Sequence, residues 1–217
     1  LVKKMLSSFS KVYSLAGGDD PNIKKYLTKK SDRVKKLYKA KVFLIEHWPF
    51  RRRSLLKNYY IKKINEAEKS VVIVTPYFLP HRWLIRALRR AVERGVRVEV
   101  ILPRKTDITL ADTASWIFTE ELKDKIKFLF LPEMNHAKVL FIDEKEGMIG
   151  SNNIDALSFD SNLEAGIIFQ QKNMVEDLKN ILETWRKSAV PYEKIMLPRP
   201  KYYSILKFLV NLIHSFV

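Results

Sequence analysis

Between His136 and Asn153 the chain reads HAKVLFIDEKEGMIGSNN, which places His136, Lys138, Asp143, Gly150, Ser151 and Asn153 in the pattern H-x-K-x4-D-x6-G-S-x-N. The run HAKVLFI is branched and apolar, as a strand is. Residues two apart on a strand project to one face, roughly 6.5–7 Å apart along the chain. That spacing sets an imidazole that can attack phosphorus beside an ammonium that can hold a phosphate oxygen. Together they can open a phosphodiester without a metal. Ser151 and Asn153 likewise share a face and offer a hydroxyl and an amide to phosphate oxygens, while Gly150 lets backbone approach an anion closely. Asp143 lies an odd number of residues from His136 and so faces the other way. It joins the catalytic set as a strand-end group supporting the reacting pair. Taken alone, His-x-Lys is equally a half-buried strand with polar residues on its wet side.

The flanking segments indicate what positions these residues. Val71–Val74 is a continuous apolar run suited to a strand covered on both faces. Pro76 and Pro80 end it, leaving Tyr77 and Phe78 as possible pocket residues, or as packing. Apolar positions 84, 85, 88, 91 and 92 predict a helix over 83–94, stopped at Gly95. A strand over 96–102, a helix near 110–122 and a strand over 126–131 follow, and 172–187 reads as a further helix. Glu144–Gly147 reads as a hairpin turn, with Met148–Gly150 starting the return strand. This β-α-β-α-β order predicts an α/β fold on a mixed, largely parallel sheet.

Composition sets wider bounds. The 217 residues, 47% hydrophobic, suffice for one full domain. With no cysteine, disulfides and thiolate metal sites are excluded, and the four histidines (His47, His81, His136, His214) show no metal-site spacing. The net charge of +16 is concentrated early, in Lys24, Lys25, Lys29, Lys30, Arg33, Lys35, Lys36, Lys39, Lys41 and Arg51–Arg53. Such a face favours a polyanion, either nucleic acid or an anionic bilayer. Val2, Met5, Leu6, Phe9, Val12 and Tyr13 follow helical spacing. After Pro198 and Pro200, an apolar tail from Tyr203 to Val217 carries Ser204, Lys207, Asn211 and His214 on one stripe. It is shorter than the ~20 residues of a spanning helix and reads as an amphipathic helix on a membrane or on a neighbouring protein surface. No stretch has the form of a signal peptide.

The motif resembles the signature of the phospholipase D superfamily at every defining position. The segment from Asn153 to Glu164 resembles cardiolipin synthases, with Asn153, Asp155, Ser158, Phe159, Asn162 and Glu164 matching and Leu157 and Leu163 standing where Arg and Phe are usual. Ser70–His81 also resembles the start of the second half of these phosphatidyltransferases. The likeness covers about 42–190. It implies a phospholipase D-like α-β-α sandwich, with residues 1–41 as a basic segment or linker, 42–190 as a catalytic domain carrying one HKD motif, and 191–217 as an amphipathic tail. The catalytic set becomes His136, Lys138, Asp143 and Glu164, with Lys138, Ser151 and Asn153 holding the phosphate, Glu164 orienting the His136 ring, and no metal or cofactor. The implied reaction is phosphatidyl transfer through a phosphohistidine, with phosphatidylglycerol as substrate, on a peripheral membrane protein of the cytoplasmic face. It needs two histidines, and this chain has one motif. A homodimer partner would supply the second, or else the chain, which begins with Leu1, is the C-terminal half of a longer two-motif enzyme. A homodimeric phosphodiesterase acting on nucleic acid is the alternative.

Overall fold

The structure, a computed structural model, describes residues 1–27, 42–49, 54–195 and 200–216, without side chains for residues 209 and 211–216. Lys29, Lys30, Arg33, Lys35, Lys36, Lys39, Lys41, Arg51–Arg53 and Pro198 lie outside the described residues, as do the side chains of Asn211 and His214. The chain forms two compact units, Leu1–Leu44 and Ile45–Val217. In the first, α1 (Val2–Leu15) leads to the short α2 (Pro21–Lys24). Asp20 caps α2 by accepting the Asn22 N–H at 2.8 Å, and Ser10 Oγ donates to the Ile23 carbonyl at 2.8 Å. The expected apolar stripe of α1 is present, and Val2, Met5, Phe9 and Val12 on it are exposed.

The second unit is built on one sheet, in the order β1-β7-β6-β5-β2-β3-β4-β8. Its strands are β1 (Val42–His47, crossing the unit boundary), β2 (Ser70–Val74), β3 (Arg97–Pro103), β4 (Lys127–Leu131), β5 (Val139–Ile142), β6 (Glu146–Gly150), β7 (Glu164–Phe169) and β8 (Val190–Pro191). The helices are α3 (Leu55–Glu66), α4 (Arg82–Glu93), α5 (Thr109–Leu122), α6 (Lys172–Ser188) and α7 (Tyr203–Phe216). Side-chain alternation divides the sheet into two faces. Val71, Ile73, Val98, Val100, Phe128 and Leu140 pack with α3, α4 and α5 in one core. On the other face Glu99 takes Arg186 of α6 at 2.6 Å, and a Cβ on Gly147 would meet Leu178 of α6 at 2.8 Å. Helices therefore cover both faces, giving the expected α-β-α sandwich.

The sheet is mixed, but the expectation that it is largely parallel is overturned. Among the pairings described, β2–β3 and β3–β4 are parallel, whereas β2–β5, β4–β8, β5–β6 and β6–β7 are antiparallel. Crossover helices follow β2 and β3. The β5–β6 link is a tight turn, too short for the crossover that parallel strands need. That turn also falls earlier than the sequence suggests. Lys145 N–H closes on the Ile142 carbonyl at 2.9 Å, with Asp143 and Glu144 at φ 53° and 54°. These are the left-handed values of a twist-matched hairpin turn, and Gly147 lies inside β6.

Asp143 fastens this hairpin to β2. Its carboxylate accepts the backbone N–H groups of Lys69 at 2.7 Å, Ser70 at 2.9 Å and Glu68 at 3.0 Å. Its own N–H donates to the Ser70 carbonyl at 2.8 Å. Burial works to raise the carboxyl's pKa, but the Ser70, Glu68 and Lys69 donors outweigh it and hold the group below its ordinary 3.8. Asp143→Ala should cost about 2–3 kcal/mol in urea unfolding, the range for hydrogen bonds to a charged group. Because the folded pKa is depressed, this stability is present above pH 3.8 and fades as pH falls through the lower folded value. The variant should lack that acid limb, and an unchanged unfolding midpoint would refute the anchoring role.

Candidate active site

His136 and Lys138 lie in the extended segment leading into β5. Asn135 Oδ1 shapes it by accepting the Ala137 N–H at 2.9 Å, and the Lys138 carbonyl already joins the ladder by accepting the Gly150 N–H at 3.1 Å. The two side chains do not stand side by side as a regular strand would set them. The His136 ring is exposed, whereas Lys138 is 8% exposed, with Nζ donating to the His136 carbonyl at 2.7 Å. Burial draws the lysine's pKa below its usual value, against the carboxylates of Glu164 and Asp155, which favour the charge.

Gly150 ends β6 where a Cβ would lie 2.9 Å from the Ala165 carbonyl oxygen. Its smallness therefore serves the close approach to β7. The chain then passes Ser151, Asn152 and Asn153. Ser151 Oγ donates to the Glu164 carboxylate, and Asn162 Nδ2 donates to the other Glu164 oxygen at 3.3 Å. Glu164, expected on the His136 ring, is held instead by Ser151 and Asn162, and its charge acts on Lys138. Asn152 Nδ2 donates to Tyr60 Oη at 2.9 Å. Asn153 N–H donates to Ser158 Oγ at 2.9 Å, and its Oδ1 is buried with no hydrogen-bond partner among the described residues. An amide oxygen only accepts, so a phosphate oxygen would be met by the Nδ2 end of this side chain.

The segment after β2 closes the site from the side. Thr75 Oγ1 donates to the Tyr77 carbonyl at 2.8 Å and accepts the Ile154 N–H at 3.3 Å, while Leu79 N–H donates to the Ile154 carbonyl at 2.8 Å. These bonds bring the Tyr77 ring edge-on to His136, centroids 6.4 Å apart at 77°. Phe78, the other pocket candidate, is wholly buried against Phe128 and belongs to the core. The sequence reading missed Asp107. Tyr77 Oη donates to Asp107 Oδ1 at 2.6 Å. That bond, with burial, pushes the phenol up to about 12. Asp107 is held below the carboxylate range by Tyr77 first and by its own backbone hydrogen bond, with His136 adding to the effect. Its one sequence clue is its place beyond the carboxyl end of β3, where parallel strands of open α/β sheets present ligand-binding loops.

The other described histidines flank the motif. His47 is buried, with Nδ1 3.3 Å from Ser54 Oγ. Burial lowers its pKa, and Glu164 and Asp160 oppose that. His81 Nε2 is 3.2 Å from Asp160. The site thus offers an exposed imidazole with a carboxylate nearby, a partly desolvated ammonium, a hydroxyl and a side-chain amide. This set of groups suits attack on a phosphodiester and retention of its oxygens.

Comparison with known proteins agrees with this reading. The family described as "Cardiolipin synthase, PLD-like domain" matches residues 60–185. Cardiolipin synthase B of Escherichia coli is 28% identical over 171 residues, 77% of this chain and 41% of the relative. The chain therefore spans less than half the length of that curated relative. In fold it is similar to phosphatidylserine synthase of Haemophilus influenzae (TM-score 0.64, 16% identity, 90% of this chain and 52% of that one). It is also similar to Nuc, a phospholipase D family member of Salmonella typhimurium (TM-score 0.58, 18% identity, 70% and 98%).

Tyr77→Phe removes the only hydroxyl that holds Asp107 low among its described side-chain partners. The Asp107 carboxyl, followed by carbon-detected NMR titration, should move up toward its ordinary 3.8. An unmoved titration would show that Tyr77 and Asp107 are not coupled in solution.

Proposed function

The chain belongs to the family of cardiolipin synthase, PLD-like domains, and on that footing we propose that His136 serves as one half of a two-histidine site for phosphatidyl transfer. What supports this reading is the β5–β6 hairpin, whose Gly150 N–H to Lys138 carbonyl bond at 3.1 Å brings the two ends of the motif alongside each other. One imidazole attacks the phosphorus of phosphatidylglycerol, the P–O bond to glycerol breaks, and the second imidazole protonates the departing oxygen. A second alcohol then gives its proton to that imidazole, and its oxygen attacks phosphorus and frees the first histidine. If the acceptor is the hydroxyl of another phosphatidylglycerol, the products are cardiolipin and glycerol. Lys138, Ser151 and Asn153 hold the diester oxygens, with Glu164 behind Ser151 and Lys138. A second copy of the chain or a second motif-bearing half supplies the other histidine.

Exposed apolar residues support contact with an anionic bilayer, Val2 and Phe9 on α1 and Ile205 and Phe208 on α7, alongside the net charge of +16. No described helix is long and apolar enough to cross a membrane. A homodimeric phosphodiesterase acting on nucleic acid is the second reading, favoured by the match to 98% of the Nuc chain.

Incubation with phosphatidylglycerol vesicles, read by mass spectrometry, tests the proposal. Cardiolipin and glycerol should form, and His136→Ala should lower the rate about a thousandfold or more, as removal of a reacting imidazole does. Phosphatidic acid would mean the same chemistry with water as acceptor. Cleavage of an oligonucleotide with no lipid product would overturn the transferase reading in favour of the second.

A further inference from the structure

Beside the catalytic groups lies an open cleft of about 530 Å³. Its walls come from the segment after β2, the start of α5, the turn after the motif, and α7. Leu79, Pro80, Ile108, Phe118, Leu157 and Val210 make most of its lining. Two residues join it to the site: Asn153, whose Oδ1 is buried without a hydrogen-bond partner among the described residues, and Tyr77, whose ring meets His136. The α7 wall is tied to α5, since Tyr203 Oη donates to the Glu120 carboxylate and Lys207 Nζ lies 3.8 Å from it. Ile108 and Leu157 are 48% and 63% exposed, so the cleft opens to the surface and is not a void sealed in the core.

The Tyr77 ring both meets His136 and lines the cleft, so a diester held at His136 has the cleft beside it for one of its substituents. Single-stranded nucleic acid would need a cationic track and flat faces for stacking. This cleft has flat faces in Tyr77, His81 and Phe118 but no cationic track, since its described lining holds one guanidinium, Arg82, and a carboxylate, Asp155, that would repel a second phosphate. Aliphatic side chains in a cleft of this volume suit a hydrocarbon, and the volume lies in the range of ligand pockets. We propose that the cleft holds an acyl chain of the phospholipid whose phosphate occupies the site. The proposal rests on the phosphatidyl-transfer reading for its ligand. It adds that selection for lipid resides in this chain and not in whatever supplies the second histidine.

The test uses the full chain and phosphatidylglycerol vesicles carrying a photoactivatable diazirine in the acyl chain, with labelled peptides mapped after irradiation. Label should fall on the α5 start, the 153–157 segment and the Val210 region of α7. With short-chain phosphatidylglycerol kept monomeric in water, removing a methylene should weaken labelling by about fourfold in affinity, because each methylene then leaves water for the cleft. Ala111→Trp, which fills the cleft, and Leu157→Asp, which charges its exposed mouth without touching the core, should each reduce labelling about tenfold, an ordinary effect for blocking or charging an apolar pocket. His136→Ala should label like the native chain, because that change removes the chemistry and leaves the cleft intact. Label elsewhere, label indifferent to both cleft variants, or label displaced by an oligonucleotide and not by unlabelled lipid would each overturn the proposal. Failure of the transfer reading appears differently, as correctly placed label with no product dependent on His136. Cardiolipin formed by a chain labelled elsewhere would sink the cleft alone.

Discussion

The motif residues are held by the way the β5–β6 hairpin is secured at both ends. At its turn, Asp143 converts a carboxylate into a clamp on three successive backbone N–H groups, from Glu68 to Ser70. At its open end the Gly150 N–H to Lys138 carbonyl bond sets the two halves of the motif at one level. The sheet transmits this registry, because β5 pairs with β2 on one side and β6 pairs with β7 on the other. Sliding the hairpin by one residue would exchange the faces of every side chain along it. The motif would then shift against the neighbouring β2 and β7, and with them against Tyr77 and Glu164. Farther along the hairpin, the buried Glu146 accepts from Tyr59, Lys63 and Gln170. Removing one of these partners would leave a buried charge short of hydrogen bonds.

Much of this was legible in the chain because the chemistry is local. Six residues within eighteen carry the motif, and their order alone suggests phosphodiester chemistry. Strands and helices from β2 to β4 follow the sequence patterning to within a residue or two, since each alternates or repeats over a long enough run to show its period. What escaped notice depends on contacts between distant segments. Asp107 reaches the site only because the parallel β3 ends beside Tyr77. The Glu164 carboxylate faces Ser151, a pairing decided by the β6–β7 register. Lys138 does not stand beside His136 as a two-residue period predicts, because the strand begins only at Val139. The parallel character was overestimated because nothing local reveals that β5 inserts antiparallel beside β2.

The comparisons bear on assembly. The fold matches nearly the whole of one compact phospholipase D family member and about half of a phosphatidylserine synthase, so one unit of this kind recurs alone and as part of a larger chain. The lipid reading then assigns separate physical duties within the unit. Polar groups on the hairpin would meet phosphate, the cleft beside Asn153 would meet hydrocarbon, and the apolar side chains exposed on α7 are available to a bilayer.

A crystal structure with orthovanadate would test most directly whether this hairpin is a phosphate site. The account predicts an oxyanion within hydrogen-bonding reach of the His136 ring, the Asn153 amide and Lys138 Nζ, with the lysine turned from the His136 carbonyl that it now contacts at 2.7 Å. Vanadate bound only to surface lysines and arginines, with Lys138 still on that carbonyl, would contradict it.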